Sequence, residues 1–120
     1  MKLLDANMIL RYLLNDNEEM ANEAEALISE GYVQVTIEVM AEVVYVLKGV
    51  YSIERNEIKN SLLHFLSEVK SNDMEVLKAG LEAYAEENLD FVDCILYAYN
   101  RVRGYEIKTF DKKLRSLLKQ

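Results

Sequence analysis

Four acidic side chains lie in apolar stretches, where an ionised carboxylate is costly unless it is paired or bound to a cation. Asp5 ends the run LLD, Glu42 lies within AEVVYVL, Asp93 lies within FVDCILYAY, and Asp111 follows IKTF. Carboxylate oxygens, without imidazole or thiolate ligands, are the donors that Mg²⁺ or Mn²⁺ prefers. A site of this kind can activate water for hydrolysis of a phosphodiester bond.

Two of these acids also have simple structural interpretations. Asp5 could be a turn residue at the end of a strand. Glu42 could extend to the helix surface or pair with Lys48 or Arg11.

Helix capping is the alternative for the acids near the C-terminus. Asp90 and Asp93 have the spacing of a capping box with Asp in place of Glu. Asp111 could be the N-cap of a last helix. Residue types alone do not choose between capping and metal binding.

Strand and helix patterns alternate along the chain, which predicts an α/β fold with a short central parallel sheet flanked by helices. Strands are predicted over residues 2–4, 32–35 and 105–109, with a weaker one near 69–70. Helices are predicted over residues 7–14, 18–29, 37–47, 74–87, 91–103 and 111–119, and from a cap at Ser52 to about residue 69.

These elements predict how the four acids meet. Asp5 and Asp111 follow the carboxyl ends of predicted strands, the edge that carries the binding crevice in open α/β sheets. Asp93 lies in the first turn of the helix leading into the 105–109 strand, and Glu42 lies near the start of the helix after the second strand. Helices that lead into parallel strands begin at this same edge. We therefore expect all four carboxylates to converge.

Composition indicates one domain over residues 1–120 in a chain that folds without disulfides. The chain is 51% hydrophobic and 29% charged, which excludes intrinsic disorder. A single Cys favours a reducing compartment. No apolar run reaches the ~18 residues that a membrane span requires. We expect a cytoplasmic protein with no membrane contact.

Charge is distributed unevenly. The whole chain carries −7, but residues 101–120 contain seven Lys and Arg against two acids. This segment predicts a polyanionic partner near the C-terminus. The alternative is a basic last helix that complements its own dipole.

The motifs match one family as an ordered set. A strand followed by Asp-x-Asn is found in LLDANMILRYLLND, and an internal Glu is found in VTIEVMAEVVYVLKGVY. An Asp before an apolar helix and the sequence Thr-Phe-Asp are both found in DFVDCILYAYNRVRGYEIKTFDKKLRSL. In these features, across nearly its whole length, the chain resembles the PIN-domain ribonucleases, and in particular the VapC-type toxins of toxin–antitoxin systems.

The resemblance implies a metal-dependent endoribonuclease. One or two Mg²⁺ (or Mn²⁺) ions would polarise the scissile phosphate and activate a water. The implied catalytic and metal-binding residues are Asp5, Glu42, Asp93 and Asp111. The implied supporting residues around them are Asn7, Thr36, Asp90 and Thr109. Possible contacts to the RNA backbone are Lys112, Lys113 and Arg115.

The implied partners are an RNA substrate, a cognate antitoxin protein and a second copy of the chain in a homodimer. The alternative is a catalytically silent PIN-like module that binds RNA or a protein. Two other residues are expected to be structural: His64 on a helix surface or at an interface, and Cys94 as a small core residue.

Overall fold

The structure is a computed structural model that describes residues 1–120. Three short strands, β1 (Lys2–Leu3), β2 (Val33–Val35) and β3 (Lys70–Ser71), form a parallel sheet in the order β1–β2–β3. Lys2 lies opposite Val33, and Gln34 lies opposite Lys70. The predicted α/β class with a short parallel sheet is confirmed, and the weakly predicted strand near residue 70 is present as β3.

Seven helices surround this sheet, and side-chain caps start most of them. The helices are α1 (Ala6–Leu14), α2 (Glu18–Glu30), α3 (Ile37–Gly49), α4 (Arg55–Leu66), α5 (Met74–Glu86), α6 (Phe91–Arg103) and α7 (Lys112–Leu118). All except α4 have an Asp, Asn or Thr at the N-cap whose side-chain oxygen accepts a backbone N–H of the first turn. None of the helices is long and apolar enough to cross a membrane.

The predicted start of α4 is wrong. Ser52 has a φ of 54°, in the left-handed region, whereas a residue at an N-cap needs extended backbone. The helix begins instead at Arg55, after Glu54, whose side chain makes no capping hydrogen bond. It also ends earlier than expected, at Leu66.

The predicted strand over residues 105–109 is also wrong. The ring of Tyr105 stacks on Tyr99 with 5.8 Å between centroids, and Asn100 Nδ2 donates a hydrogen bond to the Tyr105 carbonyl at 2.9 Å. These contacts hold the start of the segment against the end of α6. As a result β1 is paired with β2 alone and its other edge has no neighbouring strand.

Helices α5 and α6 pack as a close antiparallel hairpin. Gly80 faces Ile95 so closely that a Cβ on Gly80 would lie 2.5 Å from Ile95 Cδ1. At one end of the hairpin Tyr84 and Phe91 meet edge to face, and at the other Arg103 binds Asp73 at 2.6 Å. The start of α6, which carries Asp93, is therefore held beside the end of α5.

The core is made entirely of apolar side chains, and no polar or charged residue is buried. Cys94 is fully buried there, which confirms its predicted core position, and burial raises the pKa of its thiol to about 12. His64 is exposed on α4, as predicted.

Candidate active site

The turn between α5 and α6 is fixed by one arginine at the start of α4. Arg55 Nη1 donates hydrogen bonds to the carbonyls of Tyr84 and Glu87, both at 2.8 Å, and Nη2 donates to the carbonyl of Leu89 at 2.6 Å. The guanidinium also lies 4.0 Å from the centroid of the Tyr84 ring. These contacts hold the turn that leads directly into Asp90. Nothing in the sequence around Arg55 signals this role.

Asp90 caps α6 and leaves Asp93 free. Asp90 Oδ1 accepts a hydrogen bond from the backbone N–H of Asp93 at 3.1 Å, which is the first half of a capping box. The second half is missing, because Asp93 makes no return bond to the backbone of Asp90. The half-buried carboxylate of Asp93 accepts a hydrogen bond from no N–H of the protein.

Helix α7 brings a third carboxylate towards this turn. Lys113 Nζ donates to the carbonyl of Asn88 at 3.4 Å, which holds α7 against the residues before Asp90. Asp111 caps α7 by accepting the N–H of Leu114 at 2.8 Å. Thr109 Oγ1 in turn accepts the N–H of Asp111 at 3.0 Å.

The pKa of Asp93 is raised by its burial and by the charges of both neighbouring acids. Burial raises the pKa of Asp93 above its ordinary value, and the negative charges of Asp90 and Asp111 raise it further. Like charges this close favour the protonated form of one of them. We call Asp93 and the two acids whose charges act on it, Asp90 and Asp111, the acidic cluster.

Asp5 follows β1 with only Leu4 between them, and it caps α1. Its Oδ1 accepts the N–H of Met8 at 2.8 Å, and the residue is exposed. The side chain of the neighbouring Asn7 is exposed and makes no hydrogen bond. Thr36 occupies the equivalent place after β2, where its hydroxyl caps α3 by accepting the N–H of Val39 at 3.2 Å.

Glu42 is exposed on α3 and forms neither of the ion pairs considered for it. Arg11 instead pairs with Asp16 at 2.7 Å, and Lys48 makes no ion pair. Asp5, Glu42 and Asp111 are exposed. Leu4 and Val43, beside Asp5 and Glu42, are buried, but Phe110 beside Asp111 is 94% exposed.

Among the four predicted carboxylates, the negative charge of Asp111 acts on Asp93 and helps to raise its pKa. No three side chains of the Asp, Glu, His and Cys types are close enough to hold a metal ion. The strand over residues 105–109, which was predicted to link the helix of Asp93 to Asp111, is absent. The contact of α7 with the α5–α6 turn brings Asp111 towards Asp93 instead.

The chemistry of the acidic cluster nevertheless fits a hard cation. In Asp90 and Asp111, as in Asp5, one carboxylate oxygen accepts a cap hydrogen bond and the other accepts none. The charges of Asp90 and Asp111 add to burial in raising the pKa of Asp93, and none of the three carboxylates forms an ion pair that would compensate their negative charge. A divalent ion with oxygen ligands would supply that compensation.

The three basic residues predicted to touch RNA differ in their freedom. Lys112 is exposed, and its side chain forms no hydrogen bond or ion pair. Lys113 is bound to the Asn88 carbonyl, as described above. Arg115 Nε donates to the Thr109 carbonyl at 2.6 Å, and its guanidinium lies 5.6 Å from the ring of Phe110. Lys112 is thus the cation most available to a ligand.

The chain belongs to the PIN domain family, whose profile it matches over residues 2–119. The PIN domain is a nuclease fold, and its members generally depend on divalent metal ions. Neither curated proteins nor solved structures gave a match to this sequence.

Proposed function

We propose that this protein is an endoribonuclease that cuts RNA with Mg²⁺ or Mn²⁺. The observation that carries the proposal is the acidic cluster at the start of α6, in a chain that matches a nuclease family over nearly its whole length. Asp93 and Asp111 would hold the ion, and Asp5 and Glu42 complete the set by the motifs that the chain shares with PIN-domain ribonucleases. When bound, the ion polarises a phosphate oxygen and lowers the pKa of a coordinated water.

The protein's own side chains have distinct tasks in this proposal. Asp93 orients the attacking water, because no backbone or side-chain N–H occupies its carboxylate. Asp90 and Arg55 hold the first turn of α6 in place, and Lys112 contacts the RNA backbone, which positions the strand without reading its sequence.

The test uses substitutions that separate capping from metal binding. Asn caps a helix as well as Asp does. Asp5→Asn should therefore keep the fold but lose most metal-dependent cleavage of RNA, as should Glu42→Ala. Asp73→Asn is the matched control, because Asp73 caps α5 by accepting the N–H of Val76 and lies outside the proposed site.

The measurement is cleavage of mixed cellular RNA by purified protein, with Mg²⁺ or Mn²⁺ and with a chelator, followed by sequencing of the new ends. We expect cutting by the wild type and by Asp73→Asn that stops with chelator. Cleavage that resists the chelator, or full activity of both Asp5→Asn and Glu42→Ala, would refute the metal site.

The biological role that we propose is that of a VapC-type toxin in the cytoplasm. In this role the chain forms a homodimer and is held inactive by a cognate antitoxin, for which a basic side chain reaching the carboxylates is a suitable inhibitory contact. A small gene encoding a DNA-binding protein immediately upstream, and its product recovered with this chain from the native host, are the expected results. Monomers at all concentrations in sedimentation would contradict the dimer.

One observation favours a second function, a catalytically silent module that binds RNA or a protein. No three metal-ligating side chains are close together in the structure. For such a module the same cleavage assay gives no new RNA ends with any metal, while binding of RNA or of a partner protein persists.

A further inference from the structure

A cavity of about 370 Å³ opens beside the acidic cluster, between α3 and the first turn of α6. Tyr45 and Lys48 line it from α3, and Asp90 and Val92 line it from α6. Arg55 and Tyr84 close it on the side of the α5–α6 turn. Asp90 belongs both to this cavity and to the acidic cluster, so the two sites are contiguous.

The wall of the cavity contains an aromatic ring that the fold does not use. Tyr45 is 77% exposed and Val92 is 57% exposed, whereas Val43 and Val44, next to Tyr45 along α3, are fully buried. The sequence could not distinguish Tyr45 from a core residue, because it lies inside the apolar run VVYVL. An exposed ring at the mouth of a cavity is a surface on which a nucleobase can stack.

The charges around the cavity are arranged for a nucleotide. Lys48 is exposed and forms no ion pair, so its ammonium is available to a phosphate. Asp90 Oδ1 is occupied by the N–H of Asp93, and its second oxygen is free to accept an N–H from a base edge. Arg55 adds a second positive charge whose position is fixed by three carbonyls.

We propose that this cavity binds one base of a single-stranded RNA substrate, in the nucleotide next to the scissile phosphate. The base stacks on Tyr45, its edge meets Asp90, and its phosphate meets Lys48. A volume at the low end of small-molecule sites suits one nucleotide. The proposal rests on the proposed ribonuclease function.

The experiment compares Tyr45→Ala with Tyr45→Phe on a labelled single-stranded RNA of about 12 nucleotides. The cut site is first mapped with Mg²⁺. Binding is then measured by fluorescence anisotropy in chelator, for the intact RNA and for versions with one abasic nucleotide at each position around the cut. Because Tyr45 is exposed, Tyr45→Ala should melt at nearly the wild-type temperature.

We expect Tyr45→Ala to weaken binding of the intact RNA by about 5- to 150-fold, the range of base–aromatic stacking. In the wild type, one abasic position beside the cut should weaken binding by a similar factor, and Tyr45→Ala should abolish that dependence. Tyr45→Phe should retain both effects. The matched control is Tyr32→Asn, which removes a ring that is 72% exposed and remote from the cavity. Asn suits its positive φ, so this variant should bind as the wild type does.

Three outcomes would overturn the proposal. The first is that the wild type cuts RNA, but the binding of Tyr45→Ala depends on the abasic position in the same way as that of the wild type. In that case the base pocket is wrong and the ribonuclease function stands. If Tyr45→Ala converts a dimer to a monomer and leaves the profile unchanged, the face is an interface between two copies. If the wild type neither binds nor cuts RNA, the pocket and the proposed function fail together.

Discussion

Asp5, Asp90 and Asp111 each use one carboxylate oxygen as a helix cap, at 2.8–3.1 Å from a backbone nitrogen. Capping and metal binding are therefore compatible in the same residue, because a carboxylate has a second oxygen. The cap also fixes the side-chain torsion, so that the free oxygen has a defined direction before any ligand arrives. Asp93 differs from these three, since it caps nothing and is half-buried.

Replacing Asp93 by Asn should stabilise the metal-free protein. Burial and the charges of Asp90 and Asp111 raise its pKa in the folded state above the unfolded value of about 3.9. The ionised carboxylate therefore destabilises the fold at neutral pH. We expect Asp93→Asn to gain up to about 1 kcal/mol, reduced by solvent screening. Thermal melting in chelator measures it, and a lower melting temperature for the variant would contradict it.

The pH and metal dependences give the controls for this prediction. The advantage of Asp93→Asn should be complete at neutral pH and should vanish as the pH falls below about 3, where Asp93 is protonated in both the folded and the unfolded states. Millimolar Mg²⁺ should raise the melting temperature of the wild type more than that of the variant, because a ligand stabilises only the state that binds it.

At the scale of elements, the α5–α6 turn depends on Arg55 from α4. Arg55→Lys keeps the charge but cannot reach three carbonyls in the same geometry. We expect the free energy of unfolding to fall by about 2–3 kcal/mol, since hydrogen bonds to a charged group contribute about 1.5–3 kcal/mol each and Lys replaces some of them. Urea unfolding measures this loss, and cleavage should also fall because the first turn of α6 is less well fixed.

The matched control for Arg55→Lys is Lys59→Gln, on the same helix. Lys59 also joins α4 to α5, through a 3.9 Å ion pair with Glu82, but Glu82 is exposed. An exposed pair contributes about 0.2–1 kcal/mol. Equal losses of unfolding free energy in the two variants would show that the hydrogen bonds of Arg55 to the backbone stabilise the fold no more than an exposed ion pair does.

The sequence predicted elements well where local signals were strong. Phe91–Arg103, with Asp90 before it and Gly104 after it, has the predicted bounds, because both caps act within a few residues. One long-range feature of the fold could not be read from the sequence. The segment over residues 105–109 has strand-like alternation, but the stacking of Tyr105 on Tyr99 holds it away from the sheet.

The same limit applies to the site. The sequence singled out the acids from their apolar neighbours, and their role as a metal site stays a prediction. It could not identify Arg55, whose partners are carbonyl oxygens about 30 residues away and therefore carry no side-chain signature. It also could not show that Tyr45 points outward, because helical periodicity is ambiguous within a continuous apolar run.

At the scale of the whole molecule, an acidic protein has to approach a polyanion. The chain carries −7, yet its last 20 residues are basic, and Lys112 at the start of α7 lies next to Asp111. Local positive charge, rather than net charge, determines where RNA can bind.

Lys112→Gln should weaken RNA binding uniformly across sequences. Because the side chain of Lys112 is exposed and forms no hydrogen bond or ion pair, its loss should change the free energy of unfolding by less than about 0.5 kcal/mol. The plot of log affinity against log salt should become shallower by about one unit, as for loss of one phosphate contact. Anisotropy titrations at several salt concentrations measure this slope. An unchanged slope would place the RNA elsewhere on the molecule.

The most direct test of the account is a titration of Mn²⁺ into the metal-free protein, followed by the electron paramagnetic resonance signal of free Mn²⁺, with RNA cleavage measured in the same samples. The account predicts that Mn²⁺ binds, that the cleavage rate rises in proportion to the bound fraction, and that Asp93→Asn loses both the binding and the cleavage. Cleavage at full rate before any Mn²⁺ is bound, or unchanged binding in Asp93→Asn, would contradict it.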